Sequence, residues 1–243
     1  QNEKEISVLH LLHETPKATT GVNMKSILTN ITFFVLSALL ISPNIFASQC
    51  DDKFPNKKEI KVPNTTVLCN TFYATVFDEA HNAAIFSTEV YQAKTGPAPT
   101  RTNDFRPDAR LKNSPTPDDY TNTGYDRGHL TPAADASTQA QMSDTFLMTN
   151  MIPQEPTVNR TPWRLLEVKV RDMPFNYVVT GAIYSFPGKT IGKRNVSVPV
   201  SYYKIVYLAD GKIQAYEAEN KPKSLVVDST VESIEKKTNI KFK

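Results

Sequence analysis

Alternation of apolar and polar residues dominates the second half of the chain. It appears first in TFYATVFDEAHNAAIFSTEVYQ (71–92), on both sides of Asp78–Asn82, which predicts strand, turn, strand. NYVVTGAIY (176–184), VSVPVSYYKIVYLA (196–209) and KIQAYEAE (212–219) read as further strands of an antiparallel sheet, with Asp210-Gly211 as the tight turn between the last two. The period changes in TVNRTPWRLLEVKVRD (157–172), where Trp163, Leu166 and Val170 recur at helical spacing behind Asn159 at a capping position and Pro162 in the first turn, predicting a helix. FLMTNMIPQ (146–154) is a short apolar run read as a buried strand stopped by Pro153, and Ser229 with Glu232 forms a capping box for a short last helix. The predicted class is α+β, with a central antiparallel sheet and helices.

Two stretches lack periodicity. Residues 51–70 are rich in Pro, Lys and Asn, an irregular lead-in. Residues 94–124 contain Pro97, Pro99, Pro107, Pro115 and Pro117 and few large apolar residues, which predicts a long surface loop, of a length that tends to be functional or disordered. It carries Arg101, Arg106 and Arg110.

The N-terminal fifth has another logic. Met24 and Lys25 precede a mostly apolar run at 27–41 and then SPNIFAS, the order of a secretory signal peptide at 24–47. A membrane anchor is the competing reading, but the run is shorter than the ~20 residues that span a bilayer. Residues 1–23 then read as an upstream extension, 48–69 as the lead-in, and 70–243 as one domain. A secreted or periplasmic location is expected, without stable membrane association after cleavage. Cys50 and Cys69, the only cysteines, are expected to pair in that oxidising setting; lipidation of Cys50 is the alternative. Lys4, Lys17 and Lys25 balance Glu3, Glu5 and Glu14, so the formal net charge of +3 resides after residue 47. That suits an anionic substrate without indicating nucleic acid by itself.

Of four histidines, His10 and His13 precede the expected cleavage site and His81 falls in the predicted hairpin turn, where an exposed, functionless side chain is expected. His129 ends the motif YDRGHLTP. Strand, connection, strand and helix follow one another from 125 to 167, letting the His129 imidazole and the Asn159 amide oxygen face each other across a small cleft. Such an arrangement suits a phosphodiester: neutral histidine takes a proton from water while a cation held by the amide oxygen offsets phosphate charge.

DRGH (126–129), TNMIPQ (149–154) and NRTPWRLLE (159–167) together resemble the DNA/RNA non-specific endonucleases over roughly residues 70–240. The resemblance implies a ββα-metal core embedded in the α+β fold, DNA and RNA as substrates, and Mg²⁺ as cofactor, with Mn²⁺ or another divalent ion as alternatives. It implies His129 as general base, suited by an ordinary pKa near 6.5, and Asn159 as the direct metal ligand, with Glu167 and Asn150 supporting the site. Arg127, two residues from His129 and so on the same strand face, is implied to stabilise the phosphorane. Arg101, or Arg106 in its place, is implied to contact phosphate. Trp163 is expected to pack the helix on the sheet, Asp126 to shape the strand end, and Gly128 to allow close approach of the phosphate backbone. Two other readings compete: a phosphodiesterase for nucleotides or small diesters, and an inactive nucleic-acid-binding protein.

Overall fold

The computed structural model describes residues 50–94 and 96–243; the expected extension and signal peptide lie outside the described residues. The elements are β1 (Thr66–Cys69), β2 (Tyr73–Asp78), β3 (Ala83–Val90), β4 (Asp126–His129), α1 (Gln139–Asp144), β5 (Met151–Gln154), α2 (Pro156–Val158), α3 (Arg164–Arg171), β6 (Phe175–Ile183), β7 (Thr190–Ile191), β8 (Val196–Ser197), β9 (Ser201–Leu208), β10 (Ile213–Glu219), β11 (Val227–Ser229) and α4 (Val231–Thr238). Seven strands form one antiparallel sheet in the order β1-β2-β3-β6-β9-β10-β11, while β4-β5 and β7-β8 form separate two-stranded ribbons. This α+β architecture agrees with the alternation read from the sequence.

The sheet buries both faces. On one, Phe77, Val178, Tyr202 and Val206 pack against Leu130, Ile152, Val158, Trp163, Leu166 and Val170 from the β4-β5-α2-α3 layer. On the other, Val76, Phe86, Val179 and Ile205 pack against Phe54 of the lead-in and Val231, Ile234 and Phe242 near the C-terminus. Successive residues such as Val178 and Val179 thus serve opposite cores, as period-2 geometry requires. Cys50 and Cys69 are disulfide-bonded, with Cα atoms 5.5 Å apart, and tie the lead-in to β1.

Several local expectations need correction. The end of the lead-in is not irregular, because Thr66–Cys69 pairs with β2. The 94–124 segment is more than a surface loop: Asp108, Ser114, Asp119 and Tyr120 are buried, and Pro117–Tyr120 makes a 3₁₀ turn. Residues 148–150 form a 3₁₀ turn, so the strand starts at Met151, and Pro153 lies inside it rather than stopping it. The last helix is capped by Thr230, whose side chain accepts from the Ser233 N–H, and Ser229 ends β11.

The helix after β5 also begins earlier than expected. Glu155 is its cap, accepting from the Val158 N–H, and Pro156 opens it, so Asn159 is not a capping residue. Asn159–Trp163 then forms a π-helical turn before α3. Pro162 explains the turn: it has no N–H to donate, and its ring clashes with the carbonyl four residues back in a regular α-helix. Trp163 is fully buried, edge-on to Tyr202 at 4.7 Å between ring centroids, and packs the helix on the sheet as expected.

Candidate active site

One cleft between β4 and the Asn159–Arg171 helical segment is lined by Arg101, Arg127, His129, Asn159, Arg160, Arg164, Glu167 and Arg171, among others. The structure therefore brings His129, Arg127, Arg101, Asn159 and Glu167 together. Pairing of β4 with β5 sets the strand: Arg127 lies opposite Pro153 and His129 opposite Met151, so both side chains leave the same face.

His129 stands on an aromatic floor. Phe146 meets its ring edge-on at 5.1 Å and Phe105 lies at 6.0 Å, while these two phenylalanines pack edge-to-face at 4.9 Å. The same rings carry the cations: the Arg127 guanidinium lies 4.5 Å from the Phe105 ring and that of Arg101 4.9 Å from the Phe146 ring. Cation–π contact sets both guanidiniums over the aromatic floor while leaving most of their donors free, Arg101 Nε alone donating to Asn103 Oδ1. The Nε2 atom of His129 is enclosed and without a partner, which leaves Nδ1 as the nitrogen open to the cleft. Burial, with repulsion from Arg101, pushes the His129 pKa down to about 3, so the ring is neutral throughout the neutral range but a weaker base than the ordinary value near 6.5 expected from the sequence.

Asn159 is oriented by Asp126. Its Nδ2 donates to Asp126 Oδ2 at 2.9 Å, which turns the amide oxygen away from that carboxylate. Arg160 donates to both oxygens of Asp126, at 2.9 and 2.7 Å. Burial works against ionisation of Asp126, but these bonds outweigh it and hold its carboxyl below the usual range. Glu167 behaves oppositely: burial pushes its carboxyl up to about 7, Lys204 draws it back and Asp135 adds repulsion. Among the described residues no group of three or more His, Cys, Asp or Glu side chains is arranged to hold an ion. A neutral amide oxygen with one nearby carboxylate is nevertheless a donor set that fits a hard divalent cation retaining most of its water, as Mg²⁺ does.

Asn150 lies outside this cleft. It is fully buried; its Oδ1 accepts from the Thr131 N–H, and its Nδ2 donates to the carbonyls of Thr131 and Thr145. It braces the chain just beyond His129. Arg106 is likewise engaged elsewhere, donating to Asp104 and to the Ser143 carbonyl, and Arg110 binds Asp108 through two bonds and the Cys69 carbonyl. Gly128 does not face the cleft: a Cβ there would meet Gln154 Oε1 at 1.9 Å, so its missing side chain makes room for Gln154 rather than for substrate. His81 is in the turn as expected, in hydrogen-bond contact with Asp78 through Nδ1 and stacked on Phe186.

Sequence reasoning missed Phe105, Phe146, Arg160, Arg164 and Arg171. For Arg171 a signal existed, since 164, 167 and 171 share one face of α3; the phenylalanines carried none, because they reach the site through long-range packing.

The model of the DNA/RNA non-specific endonuclease family matches residues 55–243. A nuclease of Nostoc sp. is 42% identical over 118 residues, covering 45% of this chain and 42% of the relative, so the chain spans less than half of that protein's length. Human mitochondrial endonuclease G is 30% identical over 216 residues, covering 77% of this chain and 70% of the relative. Among solved structures, EndoG in its complex with EndoGI superposes with a TM-score of 0.67 at 24% identity, over 76% of this chain and 87% of that one, a likeness of fold.

Proposed function

Because the chain belongs to the DNA/RNA non-specific endonuclease family, we propose that it is a divalent-metal-dependent endonuclease hydrolysing phosphodiester bonds of both DNA and RNA. The observation that carries this reading is the meeting of a neutral, partly buried histidine with a line of arginines and a carboxylate-oriented asparagine in one cleft. Arg160 and Arg171 are already paired with Asp126 and Asp135, so Arg101 and Arg127, set over the Phe146 and Phe105 rings, are the guanidiniums we assign to phosphate. Contacts from arginine to phosphate carry no base identity, which accounts for low sequence specificity.

In the proposed reaction His129 Nδ1 removes a proton from water as the water oxygen bonds to phosphorus. The bond from phosphorus to the departing oxygen breaks, and that oxygen takes up a proton from solvent. Arg127, held over the Phe105 ring, donates to the equatorial oxygens as charge develops there, and Arg101 anchors a neighbouring phosphate. Asn159 is the residue that would hold the cation, supported by Glu167. When bound, the ion supplies Lewis-acid neutralisation of phosphate charge. Asp126 keeps the Asn159 oxygen presented, and Asn150 fixes the chain beyond His129.

Mg²⁺ is the ion proposed, with secretion or a periplasmic location as the setting. The Cys50–Cys69 disulfide fits an oxidising compartment, and among the described residues no helix is long and apolar enough to cross a membrane. Cleavage of supercoiled plasmid and of single-stranded RNA, with Mg²⁺ and with EDTA, tests the reading. The wild type should cut both only with the ion, and His129→Ala should lose at least about a hundredfold. Undiminished cleavage by His129→Ala would overturn it.

A further inference from the structure

The proline-rich segment ahead of the DRGH motif runs alongside the chain that leads into β5. Arg106 donates its N–H to the Phe146 carbonyl at 3.3 Å, and its own carbonyl accepts from the Met148 N–H at 2.9 Å, a short parallel bridge to Leu147. Two residues on, Asp108 is 2% exposed and outside the lining of the cleft. Its carboxylate is nonetheless fully engaged. Oδ1 accepts from the Arg110 N–H and Nε at 3.1 and 2.8 Å, and Oδ2 accepts from Arg110 Nη2 at 2.6 Å and from Thr149 Oγ1 at 2.8 Å. Burial resists ionisation, but these bonds outweigh it and hold the carboxyl below its usual range.

Thr149 is the other end of this link. It is fully buried in the 3₁₀ turn Met148–Asn150, so fixing it fixes its neighbour Asn150. Asn150 in turn meets the chain beyond His129 at three points. Its carbonyl accepts from the Leu130 N–H at 2.9 Å, its Oδ1 accepts from the Thr131 N–H at 3.0 Å, and its Nδ2 donates to the Thr131 carbonyl at 2.9 Å. A path of hydrogen bonds, interrupted by one peptide link, therefore runs from Asp108 to the backbone that carries the His129 imidazole.

We propose that Asp108 is a positioning residue for His129: it touches no substrate, and through Thr149 and Asn150 it sets where the imidazole stands in the cleft. The inference deepens the nuclease reading above and rests on it for the consequence in turnover. A buried carboxylate is a costly way to satisfy one hydroxyl, which can bond a nearby backbone carbonyl instead. What a carboxylate adds is the capacity to accept several donors at once. Asp108 uses it to tie Thr149 to Arg110, and Arg110 reaches on to the Cys69 carbonyl at 2.6 Å and Asn70 Oδ1 at 3.0 Å, at the end of β1. The turn behind His129 is thus referenced to the edge of the main sheet.

The test uses the full chain as wild type, Thr149→Val, Thr149→Ser, Asp108→Ala, Asp108→Ala/Thr149→Val and His129→Ala. Valine keeps the shape of threonine without its hydroxyl, and serine keeps the hydroxyl. Turnover is measured on plasmid DNA with Mg²⁺, and the His129 ring is followed by proton NMR, its resonances identified by their loss in His129→Ala. Thr149→Val and Asp108→Ala are each expected to lower kcat by about 10- to 100-fold with KM within about threefold, and to move the His129 resonances. Thr149→Ser should keep kcat within about threefold of wild type. The double variant should lose no more than the worse single variant, because both substitutions break one link. If Asp108→Ala does not fold, the valine and serine variants decide alone. Wild-type kcat in Thr149→Val, a loss matching only the unfolded fraction, losses that multiply in the double variant, an equal loss in Thr149→Ser, or His129 resonances that stay in place would each overturn the proposal. If wild type and His129→Ala cleave alike while the resonances still move in Thr149→Val, the nuclease mechanism fails and the positioning of His129 stands, so the two failures are told apart.

Discussion

Gly128→Ala is the most informative single substitution, because the structure fixes both its cost and its cure. Gly128 sits in β4 between Arg127 and His129, and its backbone is not in the left-handed region, so alanine meets no conformational penalty there. The obstacle is steric. A methyl would lie 1.9 Å from Gln154 Oε1, 2.3 Å from Cδ and 2.4 Å from Cγ, far inside the ~3.5–4.0 Å of normal contact. Because Cγ is included, turning the amide end alone brings no relief, and Gln154 is 1% exposed, so it has no solvent to move into. Overpacking of this kind costs about 1–3 kcal/mol, or about 2–12 °C in melting temperature for a domain of this size. Neither amide atom of Gln154 has a hydrogen-bond partner, so Gln154→Ala breaks no bond and costs about 0.8 kcal/mol for the one buried methylene it removes. In Gly128→Ala/Gln154→Ala the new methyl occupies the vacated space, giving a favourable coupling of about 1–3 kcal/mol. Urea unfolding of the four proteins measures the cycle, and kcat/KM measured alongside should fall with Gly128→Ala, since displacement of His129 by about 1 Å can cost ~100-fold. Single-variant costs that simply add, within about 0.5 kcal/mol, would refute the steric account of this glycine.

Three further outcomes follow from the site. Asp126→Ala frees the Asn159 amide and should raise the Mg²⁺ concentration for half-maximal activity about 10- to 100-fold; an unchanged Mg²⁺ titration would show that Asp126 does not orient Asn159. His129 is held neutral to about pH 3 while the unfolded chain protonates near 6.5, so its contribution to stability is complete above 6.5 and is lost as pH falls toward 3. Thermal unfolding should therefore show a steeper loss for wild type than for His129→Gln in that window, and parallel curves would contradict the burial of the ring. Arg101→Ala should weaken DNA binding and reduce its salt slope by about one, whereas Arg106→Ala, whose guanidinium serves Asp104 and Ser143, should lower the melting temperature and leave the slope intact.

What could be read from the chain depended on whether the signal was local. Strands β2, β3, β6, β9 and β10 were legible from β-branched and aromatic residues bounded by turn residues, although a sheet buried on both faces favours near-continuous apolar runs over strict alternation. His129, Arg127, Asn159 and Glu167 were legible as a set through the three linked motifs, and alternation alone would have left His129 an ordinary strand-end residue. The helix start was misread because Asn159 and Pro162 imitate a cap and first turn, while the effective cap is Glu155 behind Pro156. Gly128 was assigned to substrate because nothing nearby in sequence announces that Gln154 folds across it. Phe105, from the proline-rich segment, and Phe146, beyond α1, form the floor under His129 through tertiary packing alone.

The π turn at Asn159–Trp163 acts as a phase corrector. At about 100° per residue in a regular α-helix, positions eight apart point about 80° away from each other, so Asn159 and Glu167 would diverge around the axis. A wider turn absorbs one extra residue and closes that divergence to about 20°, putting amide and carboxylate on one line above the sheet. A chain shortened by one residue between 160 and 162 would gain a more regular helix and lose that alignment. Proline at 162 thus converts a backbone defect into angular registration, and the irregular turn is the piece of the helix least open to simplification.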